Sequence, residues 1–313
     1  MNQEQFWQNF ELGTELDIAL TFVYDGLKCF DDLEYLNDTS DVFHCLYHLS
    51  VGFERVFKIG IILREFNDGV SVDNIESSLI THDTNHLFDR LSKNYLIDSK
   101  DFFNLGKNHK EFLCLLGKFY KTYRYDRFSM SVKEKNESLD LISFFQKYLT
   151  DGLEKDNFSN VYTNNEKIKK FLNKTVLKII QKSYELICNE AQNKNLYTHE
   201  LKYDSKAFHL INCSSYDKFC LSDMKYSQKE ILIWLLNNTK VSSYQKFIRD
   251  IKPLDLDIAL LDEYLKFLFG NFSSTVLSEI ECLYEKEINI KERLNSLSVI
   301  GDGSLLFEDD LSR

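Results

Sequence analysis

A chain of 313 residues, 43 % of them apolar, is long enough to bury a large core in one large or two smaller domains. Its 25 Phe and 17 Tyr exclude wholesale disorder. A net charge of −11 excludes a uniform nucleic-acid-binding surface, because phosphate contact relies on clustered cations, although a local basic groove remains open.

The single proline, Pro253, favours long helices, since proline lacks an N–H and clashes with the preceding turn. Seven cysteines occur without a CxxC, most of them inside apolar helical patterns. Reduced, buried thiols and a cytoplasmic location follow as the expectation. The first residues, MNQEQFWQNFE, lack the basic-then-apolar layout of a signal peptide. The strongest apolar run, ILIWLL at 231–236, is too short to span a bilayer, so no membrane association is expected.

Residues 3–35 read as helix with a break near Gly13-Thr14, and Leu16, Ala19, Leu20, Val23 and Leu27 keep helical spacing. The polar run 37–41 reads as a stop followed by an N-cap. The spacing of Val42, Leu46, Leu49, Phe53, Val56 and Leu63 predicts a helix over 41–66, with Gly60 on its apolar stripe. A short segment at 71–80 and residues 82–95 also look helical, 98–109 reads as loop, and 110–128 as helix. A connection at 131–137, a short helix to 149 and a polar link at 151–165 precede a long amphipathic helix over 165–193. Rough alternation at 196–203 suggests a small β-hairpin near 196–226. Ser227 to Glu230 has capping-box spacing before ILIWLL, and two more helices are expected in 255–297. The fold class is therefore mainly α, a helical bundle in two helical regions. Residues 1–130 form one domain, 131–162 a linker with a short helix, 163–300 a mainly helical C-terminal domain, and 301–313 a flexible tail.

On the helix at 41–66, His44, His48, Arg55 and Lys58 fall in one narrow stripe opposite the apolar one. That stripe is either a cationic strip for a phosphate or acidic partner, or a solvated helix face. His44-x3-His48 and His82-x3-His86 have the i, i+4 spacing of metal-ligand pairs, but no HExxH or fixed carboxylate accompanies them. No metal and no cofactor is expected. Arg124 and Arg127 share a face with Leu113, Gly117 and Tyr120 that borders the apolar stripe. Guanidinium groups there must be paired or face a polar groove, because an unpaired buried charge is costly. Glu54 is the natural protein partner, and a bound anion or nucleotide is the other.

The order of Glu54-Arg55 and Lys58 on one helix, His86-Leu87 opening the next, and Tyr123-Arg124-Tyr125 ending a third resembles the HEPN superfamily of bacterial toxin, abortive-infection and phage-defence proteins. The resemblance covers about residues 41–128. It implies a helical-bundle scaffold, often dimeric, with a polar groove. Active HEPN ribonucleases carry an arginine followed four to six residues later by histidine, a spacing absent here, since Phe128 to Lys133 contain no histidine. Ribonuclease activity is therefore not implied. The leading expectation is a non-catalytic helical component of an anti-phage or toxin–antitoxin-like defence system that self-associates or binds a partner protein, or binds a nucleotide. Its candidate residues are Glu54, Arg55, Lys58, His86, Arg124 and Arg127. The alternatives are a diverged metal-independent nuclease acting on RNA or DNA through Arg124, Arg127, His86 and Glu54, and a regulatory adaptor outside defence.

Overall fold

The computed structural model describes residues 3–66, 72–93, 95–97, 100–126, 128, 130, 136–149, 152–155, 161–212, 220–237, 242–285 and 289–301. The described chain is mainly α-helical, and it divides into two compact units, Met1–Ser222 and Asp223–Arg313.

The first unit begins with α1 (Gln3–Phe6), a π-helical turn at Trp7–Glu11, and α2 (Leu12–Asp32). The irregularity expected near Gly13-Thr14 thus lies one turn earlier. Asp38 caps α3 (Thr39–Glu65), its carboxylate accepting from the backbone N–H groups of Ser40 and Asp41. The two long helices run antiparallel in close contact. A Cβ built at Gly26 would meet the Leu49 side chain at 2.8 Å, and one at Gly52 would meet Val23 Cγ2 at 2.6 Å and the Ala19 carbonyl at 2.9 Å. Small residues at these crossings let the backbones approach.

The apolar residues predicted for α3, Val42, Leu46, Leu49, Phe53, Val56 and Leu63, are all buried. The helix is the spine of the unit, because the remaining elements gather around it. These are α4 (Val72–Ser78), α5 (Thr84–Ser92), α6 (Lys107–Lys118), a second π-helical turn at Phe119–Tyr123, α7 (Arg124–Asp126), α8 (Glu137–Tyr148) and α9 (Glu166–Asn193). Two-residue strands β1 (Leu96–Ile97) and β2 (Lys100–Asp101) pair antiparallel, β2 lying in the segment expected to be loop and β1 just before it. Gly60 faces Leu91 of α5 and Leu186 and Ile187 of α9, where three helices meet. Helix α9 thus packs on α3 inside the first unit, although its sequence reads as the start of a separate C-terminal domain.

Among the described residues of 196–226 there is no strand, which corrects the expected hairpin. The alternating residues there tie the chain back to its beginning instead. The Thr198 hydroxyl donates to the Gln8 carbonyl at 2.7 Å, and the Tyr197 N–H donates to Asn9 Oδ1 at 2.7 Å. Leu196 and Thr198 are buried, and α10 (Lys206–Ile211) adds Ala207 and Leu210 to the core.

The second unit contains most of α11 (Cys220–Asn237), then α12 (Ser243–Asp250), a 3-10 turn at Ile258–Leu260, α13 (Leu261–Leu268), α14 (Ser274–Glu285) and α15 (Ile290–Ser298). Ser227 to Glu230 lie inside α11 rather than capping it. The capping box forms at Ser242 and Gln245, at the start of α12. No helix among the described residues is long and apolar enough to cross a membrane.

Candidate functional site

Glu54 sits in the middle of α3 between buried Phe53 and Phe57, and it is itself 8 % exposed. A carboxylate at that depth needs partners. One is Lys58, a turn further along α3, whose Nζ lies 2.6 Å from Oε1. The other is His82, which reaches over from the loop before α5. Its Nδ1 lies 3.1 Å from each Glu54 oxygen, so one N–H donates to the whole carboxylate. In the neutral ring that bond puts the proton on Nδ1 and makes Nε2 the acceptor.

The loop carrying His82 is anchored on both sides. Asp83 caps α5 by accepting from the N–H groups of Asn85 and His86, and it pairs with Lys121 from the π-helical turn. Burial opposes the Asp83 charge, but the Lys121 hydrogen bond and the two backbone donors hold its carboxyl below the usual range. Asn85 lies against Gly117, where a Cβ would stand 2.6 Å from Asn85 Nδ2.

The His82 ring packs on Tyr120, with centroids 4.9 Å apart. The guanidinium of Arg124 lies 4.5 Å from the same ring, 5.5 Å from Tyr47 and 5.0 Å from Tyr125. Three phenol rings therefore surround one cation. Burial, then the charge of Glu54, push the Tyr120 hydroxyl above its ordinary pKa, while Arg124 opposes both. The π-helical turn widens the helix by one residue over Phe119–Tyr123 and sets where Tyr120 and Arg124 fall relative to α3.

Glu54 and Lys58, both singled out by sequence, pair with each other, and Arg124 lies over the Tyr120 ring on which His82 also packs. The expected Glu54–Arg124 ion pair does not form; Glu54 is already shared by Lys58 and His82, and among the described residues no carboxylate pairs with Arg124. Arg55 is elsewhere: it pairs with Glu15 of α2 at 2.5 Å and lies over Phe22. His48 also packs on Phe22, so the polar stripe of α3 partly faces α2 rather than solvent. His86 is exposed in the first turn of α5 and contributes only its backbone N–H to the Asp83 cap. Arg127 lies outside the described residues.

Because α5 begins at Thr84, His82 and His86 do not share a helix face. Among the described residues no group of three or more His, Cys, Asp or Glu side chains is placed to hold a metal ion. Sequence spacing finds His82 only as half of that metal pair, places Tyr120 on the Arg124 face without giving it a role, and passes over Tyr47. The signal that identifies them is spatial, because they converge from three elements. No family model matches the chain, and no curated protein or solved structure shows significant similarity to it.

Proposed function

We propose that the side chains gathered where α3, the loop before α5 and the π-helical turn meet bind a phosphorylated ligand of the nucleotide type. In this reading the chain is a non-catalytic helical component of an anti-phage or toxin–antitoxin-like system, the setting that the HEPN-like residue order suggests. Arg124 carries the reading: its charge is met by Tyr47, Tyr120 and Tyr125 and by no described carboxylate. A cation over an aromatic face gains about 0.5–2 kcal/mol. The rings leave the guanidinium edge able to donate a bidentate pair to phosphate oxygens. Tyr125, 59 % exposed beside that guanidinium, offers a face on which a base can stack.

Calorimetric titration with adenosine and guanosine mono- and triphosphates tests the ligand. Binding by the native protein, weakened at least tenfold in Arg124→Ala with the fold retained by circular dichroism, is the expected result. Failure of the native protein to bind any of them, or equal binding by the variant, overturns it. Co-expression with the products of neighbouring genes tests the setting.

The Glu54–His82 pair favours a second reading, a metal-independent nuclease. A carboxylate-oriented imidazole whose Nε2 is an acceptor can take a proton from an attacking hydroxyl. Arg124 would offset the charge gathering on the phosphorus oxygens. Cleavage of RNA or DNA in the presence of a chelator, abolished in His82→Ala, supports this second reading; no cleavage removes it.

A further inference from the structure

Among its described residues, the unit Asp223–Arg313 buries one apolar side chain, Val276. Even a 60-residue domain ordinarily withdraws about 60 % of its chain's surface from water. The densest run of exposed apolar side chains is on α11, where Ile231, Ile233, Trp234, Leu235 and Leu236 are all about half exposed or more, and Leu261, Leu268, Phe272 and Leu277 are exposed on and beside α13 and α14. Exposed large apolar side chains clustered on one helix mark an interaction surface rather than an ordinary solvated face. A helix apolar around its circumference is normally enclosed by neighbours.

The charge pattern indicates what encloses it. Residues 223–252, which carry α11 and α12, hold six Lys and Arg against three Asp and Glu. Residues 253–313 hold five against thirteen. On α11, Lys229 stands one turn before Ile233. On α14, exposed Leu277 is followed at one-turn intervals by Glu281 and Glu285. One stretch is apolar with a basic edge, and the other is apolar with an acidic edge.

We propose that the occupant is a second copy of this chain. The basic, apolar α11 of each copy lies on the acidic surface of α13 and α14 of the other, so that a two-fold axis satisfies both contacts at once. An unrelated partner would have no reason to find both halves of its complement on one chain. An anionic lipid surface is disfavoured by the acidic balance of the unit.

Light scattering on the full chain tests the proposal. The native protein should run at about twice 37.0 kDa. Trp234→Glu should be monomeric, or at least tenfold weaker in association, with unchanged circular dichroism. The charge-reversed pair Lys229→Glu with Lys246→Glu should also be monomeric, as should Glu281→Lys with Glu285→Lys. An equimolar mixture of these two double variants should restore the dimer, since each reversed edge then meets an opposite one. That rescue stays decisive if Trp234→Glu fails to fold. A native monomer at every concentration overturns the proposal. So does a dimer indifferent to Trp234→Glu, a mixture that stays monomeric, or a monomer that instead binds vesicles containing phosphatidylserine.

Discussion

Glu54 holds Lys58 and His82 at once, and its neighbours feel its charge at different depths. Lys58 is 22 % exposed, whereas His82 is 60 % exposed. Neutralising the carboxylate in Glu54→Gln therefore leaves Lys58 as a partly buried cation without its counter-charge. Breaking a fully buried pair costs about 3–5 kcal/mol, and partial exposure brings the expected loss nearer 1–3 kcal/mol. Urea unfolding should show that loss, and adding Lys58→Met should recover most of it. No recovery would mean that Lys58 does not depend on Glu54. Arg124→Ala should combine additively with Glu54→Gln, because its partners are rings rather than that carboxylate. At this scale the sequence identifies the charged residues and mispairs them. A misplaced cation is visible in a helical wheel, whereas a tyrosine cage built from Tyr47, Tyr120 and Tyr125 looks like ordinary core packing.

The close approach of α2 and α3 is a property of two helices and depends on what is absent. Gly52→Ala places a methyl against the Ala19 carbonyl and the Val23 backbone as well as the Val23 side chain, and backbone cannot swing aside. Alanine gains about 1 kcal/mol of helix propensity over glycine. Overpacking should exceed that gain and leave Gly52→Ala destabilised by about 1–3 kcal/mol in chemical denaturation. A variant as stable as the native protein would show that the helices separate freely. Helices α3 and α9 were legible because their apolar residues repeat every three or four positions. Helix α11 was legible as helix but not in extent, because Ser227 and Glu230 mimic a cap that the chain passes straight through. The region near 196–226 misleads for a related reason: Leu196 and Thr198 alternate with exposed Tyr197 because they dock on the core, not because they pair with a strand.

At the scale of the whole molecule, acid acts through two half-buried imidazoles, His48 and His109. Burial, then the charge of Lys178, lower the pKa of His109 below its ordinary 6.5, and burial lowers that of His48 as well. His109 Nδ1 is buried without a hydrogen-bond partner. The unfolded chain therefore binds protons that the folded chain refuses. The stability these residues contribute is complete above pH 6.5 and is lost as pH falls from there through their folded values. Melting temperature should drop between pH 7 and pH 5.5, and His109→Gln should flatten part of that slope. An unchanged slope would place the sensitivity elsewhere. Two helical regions were legible but not where they divide, because helical periodicity says that α9 buries one face and not which helix receives it.

The hydrogen bonds from Thr198 and Tyr197 to Gln8 and Asn9 also impose an order on biosynthesis. The polypeptide leaves the ribosome with Gln8 first, and its acceptors wait for donors about 190 residues later. At ordinary elongation rates that interval is roughly 10–40 s. The segment around Gln8 thus stays unfastened until Thr198 has been made, and until then it is accessible to proteases and chaperones.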